Sequence, residues 1–289
     1  MYTAACWATR IPQAATAIWT APFTVGKTRW PGSLSPSHRK KEEDTMRLFH
    51  LFTNNIPSYL AITVISAGLL TLSACKHNDD DDDMMTQATY DITVYNLTNG
   101  QPFTPLGIVV HEPTYIPWQL GEAVSTGLET LAESGDPSAF LSEADANNAV
   151  VMSVSSSNGP FGPGNSETVS ITVDHAASLQ LTVASMLANT NDGFTGVSNW
   201  GIGELAAGDS TSIMTHVFDA GTEANSETAD SIPGPAAMGE GFNIARDDLD
   251  RLTIHRGVVT ADDGLMTSAL NESHRWLGQA AKVVVTRTQ

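Results

Sequence analysis

Cysteine is scarce in this 289-residue chain, and the shortage restricts how the protein is stabilised. Its two cysteines, Cys6 and Cys75, both precede the region in which strand-like segments occur. That region therefore holds no internal disulfide and must rely on a hydrophobic core, with bound metal as a second source of stability.

Basic residues are also scarce, with 14 Lys and Arg against 32 Asp and Glu. The imbalance is concentrated from Cys75 onward, where 7 basic residues face 29 acidic ones, a net charge of −22. A domain this acidic is repelled by phosphate backbones, which argues against nucleic acid as a partner. The same charge attracts cations and basic partners.

One apolar run stands out, and it has the layout of an export signal. Residues 46–75 open with a basic residue at Arg47, continue with an apolar run over 59–72, and end in Leu72-Ser73-Ala74-Cys75. A basic start, an apolar stretch and small residues before a cleavage point are typical of a signal peptide. The ending resembles the lipobox of bacterial lipoproteins, which implies cleavage before Cys75 and attachment of diacylglycerol to its thiol.

A membrane-spanning anchor is the alternative interpretation of the same segment. The run over residues 59–74 has 16 residues, fewer than the roughly 20 that cross a bilayer. A polar, acidic tract follows it, without the basic flank of a stop-transfer sequence. We therefore expect a lipoprotein signal peptide over residues 46–74 and a membrane contact through lipid on Cys75.

The segments around this signal are expected to lack a fold. Residues 1–45 have no hydrophobic periodicity, and ahead of a signal peptide they would bury its basic start. We expect Met46 to be the true start, with 1–45 a misannotated or disordered extension. Residues 75–88 contain Asp79–Asp83, whose repelling carboxylates indicate a solvated tether. In lipoproteins of Gram-negative type, aspartate directly after the lipidated cysteine favours retention in the inner membrane. The residue at this position is Lys76. The lipoprotein resemblance therefore implies the outer membrane of a Gram-negative-type cell envelope.

The remaining residues, 89–289, are predicted to form one mainly β domain. Branched and aromatic residues are enriched in short runs, separated by turn signals such as Asn99-Gly100 and Asp192-Gly193. The runs are Asp91–Leu97, Leu106–Val110, Val150–Val154, Thr168–Val173, Leu179–Val183, Ser212–Phe218 and Lys282–Thr286. Leucine and valine at helical spacing predict one short helix across Gly121–Glu133. Strands along the whole region with a single early helix favour a β-sandwich.

Six sequence pieces in this region resemble, in order and spacing, the spondin domain of F-spondin, mindin and many bacterial proteins. They are Tyr90–Pro105, Ile108–His111, Gly121–Ser125, Leu131–Gly135, Ser185–Leu187 with Asn191–Gly196, and Phe218–Glu223. The resemblance covers roughly residues 90–286 and implies a C2-like antiparallel β-sandwich that binds Ca²⁺ and serves adhesion or recognition. The chain departs from animal members in lacking their domain cysteines, and residues 224–250 match poorly.

Three acidic residues in turn-like segments are candidate calcium ligands. Asp192, Asp219 and Glu223 follow apolar runs in glycine-containing stretches, and Ca²⁺ prefers several oxygen ligands from such loops. Ordinary turn chemistry is the alternative, because Asp and Gly dominate turns in general. The spondin resemblance places calcium carboxylates at these three positions, with glutamate at 223 where animal domains tend to have aspartate.

No motif marks a catalytic centre. Gly208-Asp209-Ser210 is similar to the serine block of some esterases, but no histidine has the required Asp three residues before it. We interpret it as a turn before a strand. The favoured function is a binding module for an unknown extracellular or periplasmic protein or glycan, and not an enzyme. The alternative is a secreted hydrolase that uses paired carboxylates of an acidic cleft.

Overall fold

The computed structural model describes residues 86–289, which form ten strands and two α-helices. The strands are β1 Gln87–Asn96, β2 Gly107–His111, β3 Val150–Ser155, β4 Ser166–Asp174, β5 Gln180–Met186, β6 Gly193–Gly201, β7 Ser210–Thr215, β8 Val217–Asp219, β9 Thr253–Ile254 and β10 Ala281–Arg287. The helices are α1 Thr126–Ser134 and α2 Ser138–Asp145. The expected extension, the expected signal peptide, Cys75 and most of the expected tether lie outside the described residues.

A four-stranded antiparallel sheet has the order β4-β1-β10-β7. In β1 buried and less buried residues alternate, because one face of the sheet packs on the core and the other meets solvent. Tyr90 and Ile92 point inward, whereas Thr93 bonds Thr168 of β4 across the outer face at 2.8 Å. β1 begins at Gln87, two residues before the expected start of the domain.

A six-stranded antiparallel sheet has the order β3-β2-β5-β6-β8-β9. Every residue of β2 is buried, and so are the last six of β5, because both faces of this sheet are covered. One face meets the four-stranded sheet through residues such as Ile108 and Val183. The opposite face packs Val109 and Phe194 against α1 and α2. The protein is thus an antiparallel β-sandwich with a helical layer on one side, and its mainly β class confirms the prediction.

The helical layer differs from the prediction of one helix across Gly121–Glu133. The Ser125 hydroxyl accepts the Leu128 N–H at 3.2 Å and sets the start of α1 five residues later than expected. Gly135, at φ 73°, ends α1. The second helix, α2, was not predicted, since its eight residues are too short to show a clear period. None of the helices within 86–289 combines the length and apolar character needed to cross a membrane.

The strand prediction for Ser212–Phe218 needs correction, and β6 was not predicted. The run Ser212–Phe218 was expected to be one strand, but the chain passes from one sheet to the other at His216, so it forms β7 and β8. Thr195 of β6 holds this crossing, because its hydroxyl bonds the Thr215 hydroxyl at 2.7 Å and the His216 carbonyl at 2.8 Å. β6 was missed because its glycines and polar residues resemble a loop more than a strand.

Candidate functional site

The predicted calcium ligands lie at one end of the six-stranded sheet, where the turn between β5 and β6 meets the end of β8. Strand pairing sets Gly193 opposite Asp219, which brings residues distant in sequence together. The turn itself is tight: the Thr190 hydroxyl donates to the Leu187 carbonyl at 2.7 Å and accepts the Gly193 N–H at 3.0 Å. This geometry presents Asp192 to the loop that follows β8.

Asp192 is fully buried, and its two carboxylate oxygens have different surroundings. Oδ2 accepts the backbone N–H groups of Thr222 at 2.8 Å and Glu223 at 3.1 Å. Oδ1 is buried without a hydrogen-bond partner among the described residues. Burial, with the Asp219 charge second, raises the pKa of Asp192 to about 7. A buried oxygen without a partner is costly, so Oδ1 is a position at which a cation or donor would stabilise the fold.

Asp219 ends β8 and organises the loop after it. Its Oδ1 accepts the Gly221 N–H at 2.9 Å, and its Oδ2 accepts the Asn225 side-chain amide at 2.8 Å. Gly221 adopts φ 73°, and a Cβ there would lie 2.3 Å from the Arg251 carbonyl oxygen. Only glycine allows both the positive φ and the close approach to the Arg251 backbone. The conformation of the loop between Asp219 and Glu223 therefore depends on Gly221.

Glu223 is half-buried beside the same group of acids. Its pKa is raised to about 7, mainly by burial and in smaller part by the negative charges of Glu133, Asp192 and Asp247, against the lowering effect of Asn191. Carboxylates that raise one another's pKa repel when ionised. Glu223 and Asp192 are therefore close enough to be coupled electrostatically.

Helix α1 contributes a fourth acid that the sequence analysis did not assign to the site. Glu133 is buried, its Oε1 accepts the Thr222 hydroxyl at 2.7 Å, and its Oε2 accepts the Asn243 N–H at 2.9 Å. Burial raises its pKa. One turn earlier Glu129 pairs with the Arg246 guanidinium, with an Nη2–Oε2 distance of 2.6 Å. Glu133 thus ties the helical layer to the loop that holds Asp219 and Glu223.

The structure brings Asp192, Asp219 and Glu223 into one region, as the sequence analysis expected. Their side chains are engaged mainly by backbone N–H groups and amides of the loop. Among residues 86–289, no group of three or more His, Cys, Asp or Glu side chains converges on one position that could hold a metal ion. Calcium binding at these residues stays a prediction.

Asp219 also lines a neighbouring polar cavity of about 360 Å³ beside β9. Glu227 and His255 line it too, and each is buried with one polar side-chain atom, Glu227 Oε2 and His255 Nε2, lacking a partner among the described residues. Burial raises the pKa of Glu227 to about 7, against the lowering effect of the Val259 N–H. Neither residue was predicted from the sequence, because neither has the spacing of a known ligand motif and Glu227 lies in the poorly matching stretch 224–250.

The serine block lies elsewhere, at the entry to the four-stranded sheet. Gly208 adopts φ 92° in the turn before β7. The hydroxyl of Ser210 bonds that of Thr286 in β10 at 2.7 Å on the exposed face. Gly208-Asp209-Ser210 therefore forms a turn that leads into a strand, as predicted.

Comparison with protein families supports the resemblance found in the sequence. Residues 92–235 match the Spondin_N family model. The match runs from β1 past the loop of Asp219 and Glu223, so it includes both helices and all three predicted calcium ligands. No curated protein matches the chain. The match and the sandwich fold place the chain in the spondin-domain family.

Proposed function

We propose that the chain is an extracytoplasmic binding module, anchored by lipid on Cys75, whose spondin domain is stabilised by Ca²⁺. The family match supports the binding part of this function, since it runs from within β1 to beyond β8 and includes the acidic end of the sandwich. The Leu72-Ser73-Ala74-Cys75 segment supports the anchor. Its partner is an extracellular or periplasmic protein or glycan, and the acidic surface favours a basic or neutral one.

One observation carries the calcium part: the unpartnered Oδ1 of buried Asp192 lies within a group of mutually repelling acids. The donor set is hard carboxylate oxygen, which Ca²⁺ prefers. Asp192 would hold the ion through Oδ1, and Asp219 and Glu223 would join it as ligands after a shift of the loop that follows β8, because the three carboxylates do not converge on one position in this structure. When bound, the cation supplies positive charge that offsets the repulsion and joins the β5–β6 turn to the loop after β8.

The test is the melting temperature of the purified protein in millimolar Ca²⁺ and in excess chelator. Linkage gives about 2.7 kcal/mol of stabilisation at a ligand concentration 100-fold above Kd. For a domain of this size that corresponds to roughly 5–10 °C. Identical curves in the two conditions would reject the site.

Two matched variants sharpen this test. Asp192→Asn removes the charge next to the orphaned oxygen, so calcium should no longer raise the melting temperature. Asp209→Asn, at an exposed turn before β7, removes the same charge away from the site and should keep the full response. A normal calcium response in Asp192→Asn would contradict the ligand assignment.

The anchor has its own experiment. Cys75→Ser removes the thiol that would carry lipid, so labelled palmitate should no longer be incorporated and the protein should leave the membrane fraction or remain uncleaved. Retention and labelling at the normal level in this variant would contradict the lipoprotein assignment. Peptides from residues 1–45 in cellular protein would contradict the start at Met46.

A further inference from the structure

Each sheet of the sandwich ends in two edge strands, and three of these four edges are protected against pairing with another chain. β9 has only two residues. β3 pairs with β2 through a register shift between Val110 and His111. β4 directs the Glu167 side chain inward, where the residue is 4% exposed. Short strands, irregular register and inward-pointing charges are common protections of an exposed edge.

β7 is the fourth edge, and it is built differently. It has six residues and pairs with β10 in an unbroken register. Its sequence contains neither proline nor a charged side chain, and the uncharged stretch continues over 210–218, although 29 acidic residues follow Cys75. A regular, uncharged edge of this length is a template for a further strand.

The hydrogen bonds of β7 show which main-chain groups it offers. The Asp209 carbonyl accepts the Arg287 N–H at 3.0 Å, and these two residues are in register, so odd-numbered residues of β7 bond to β10. The direction of the main-chain groups alternates along an antiparallel strand. The N–H and C=O groups that point to the open side therefore belong to Ser210, Ser212 and Met214. The side chains of all three are exposed.

We propose that β7 is a dimerisation edge, to which a second copy of this chain adds its own β7 in antiparallel orientation. A two-fold axis at Ser212 places Ser212 opposite its counterpart and Met214 opposite Ser210 of the second copy. Each large methionine side chain then lies beside a small serine. The pairing satisfies the open main-chain groups and joins two four-stranded sheets into one of eight strands.

Charge favours this edge as the contact between two copies. Two domains this acidic repel each other, so they associate best through a surface that brings no carboxylates together. Residues 210–214, which pair in this arrangement, carry no charge. Asp209 lies just before β7, and the two-fold axis holds the Asp209 side chains of the two copies at opposite ends of the paired strands. Lys282 is the neighbour of Met214 in β10, so a cation and not an acid lies behind the methionine.

An apolar groove at the end of β7 gives the second copy further surface. Leu120 and Met214, which are 53% and 49% exposed, line it together with Trp118. Its volume is about 310 Å³. The same two-fold axis carries the turn over 206–209 of the second copy toward this groove, and that turn contains two exposed alanines. The groove therefore continues the strand contact with apolar burial.

The first experiment is disulfide cross-linking of the full chain in its own membrane. Cα atoms of a hydrogen-bonded antiparallel pair lie about 5.5 Å apart, within the range of about 4.4–6.8 Å that a disulfide spans. Ser212→Cys should therefore give a band of twice the chain mass on a non-reducing gel. Ser170→Cys is the matched control, because Ser170 is an exposed serine in the middle of edge strand β4 and should give no such band.

The second experiment is sedimentation equilibrium of the purified protein in density-matched detergent. The interface is small, so we expect a weak dimer that is populated at about 200 µM and dissociates on dilution. Added salt should strengthen the association, because it screens the repulsion between acidic copies. Ser212→Lys places two cations beside each other at the two-fold axis and should weaken the dimer about tenfold or more. Ser170→Lys adds the same charge on β4 and should leave Kd unchanged.

Both results are required for the assignment. A monomer at about 200 µM, or a dimer that Ser212→Lys and Ser170→Lys weaken equally, would overturn it. Cross-linking of Ser212→Cys to a protein of another mass would also overturn it, by giving the edge a different partner. The calcium response and palmitate labelling do not depend on β7, so their failure or success is separate from this result.

Discussion

The two sheets of the sandwich differ in what covers them. The four-stranded sheet packs one face on the core and exposes the other, where rows of threonine and serine hydroxyls bond across strands. The six-stranded sheet is covered on both faces, by the first sheet and by the helical layer. In β1 burial therefore alternates, whereas in β2 every residue is buried.

Most of the buried acids lie on the side of the doubly covered sheet, although Glu167 is buried in β4 of the other. The acids whose pKa burial raises, Glu133, Asp192, Glu223 and Glu227, lie at the end of the six-stranded sheet or in the helix and loops beside it. Polar groups on a sheet with one solvent face can reach water. When both faces of a sheet are covered, the loops at its end are also shielded from water, and carboxylates in them are desolvated. The second sheet, with the helix and loops beside it, therefore combines most of the buried acids with burial on both of its faces.

The largest expected effect concerns packing on the doubly covered sheet. Phe194 is fully buried and lies 5.4 Å from both Trp118 and Phe218, between ring centroids. Phe194→Ala should lower the free energy of unfolding by about 3–5 kcal/mol, measured by urea denaturation. Thr93→Ala, on the outer face of β1, should cost less than about 1 kcal/mol. Equal losses of unfolding free energy in the two variants would show that burial on both faces does not make the six-stranded sheet more sensitive to substitution.

The next effect is pH dependence from Glu227. Its pKa is about 7 when folded and near 4.5 when exposed, so the folded state binds more protons between these values. Its ionisation therefore lowers the free energy of unfolding as pH rises from about 4.5 to 7, by about 3 kcal/mol. Glu227→Gln should remove this loss and be more stable than the parent at pH 8.

The measurement is urea denaturation at pH 5 and pH 8 in chelator, so that calcium does not contribute. Glu204→Gln is the control, because the same change at an exposed position should leave the pH dependence intact. An unchanged pH dependence in Glu227→Gln would show that this acid is not held in a desolvated position.

A smaller loss of stability is expected from alanine substitutions in two glycine-containing turns, one beside each sheet. Gly221 and Gly208 both have positive φ, but a Cβ would meet the Arg251 carbonyl at 2.3 Å in the first and open space in the second. Gly208→Ala should cost about 1 kcal/mol for its conformation alone. Gly221→Ala should cost about 2 kcal/mol more, because the loop must also shift. Similar melting temperatures for the two variants would contradict the close packing around Gly221.

The smallest expected effect concerns the helical layer that covers the second sheet. The Ser125 hydroxyl accepts the Leu128 N–H at the start of α1. Ser125→Ala should lower the free energy of unfolding by about 1 kcal/mol, whereas Ser125→Asp should keep the cap and the stability. Equal losses in the two variants, measured by thermal denaturation, would show that this cap does not stabilise the helix.

Local patterns in the sequence identified most strands of the first sheet. β1, β4 and β10 agree with the predicted runs to within a few residues, because branched and aromatic residues are concentrated in them. β2, β3 and β5 were recognised by their branched residues. β6 and β9 were not, since β6 is rich in glycine and β9 has only two residues.

The resemblance to spondin domains named three acids of this region, and calcium binding by them stays a prediction. Asp192, Asp219 and Glu223 do lie together, because β6 pairs with β8. Glu133 was quoted as part of a helix without a role, and Glu227 and His255 were not noticed. Their significance depends on burial and on missing hydrogen-bond partners, which are properties of the packed chain.

By itself the sequence determined the acidity, the absence of a disulfide within residues 86–289, the β-rich class and the family resemblance, all of which follow from composition, periodicity or motif order. Tertiary structure alone decided that one predicted strand crosses between sheets at His216, and that helices cover the second sheet. It also decided which carboxylates titrate near pH 7. The reason is physical: a pKa or an unsatisfied oxygen depends on every group packed around it, and these come from distant parts of the chain.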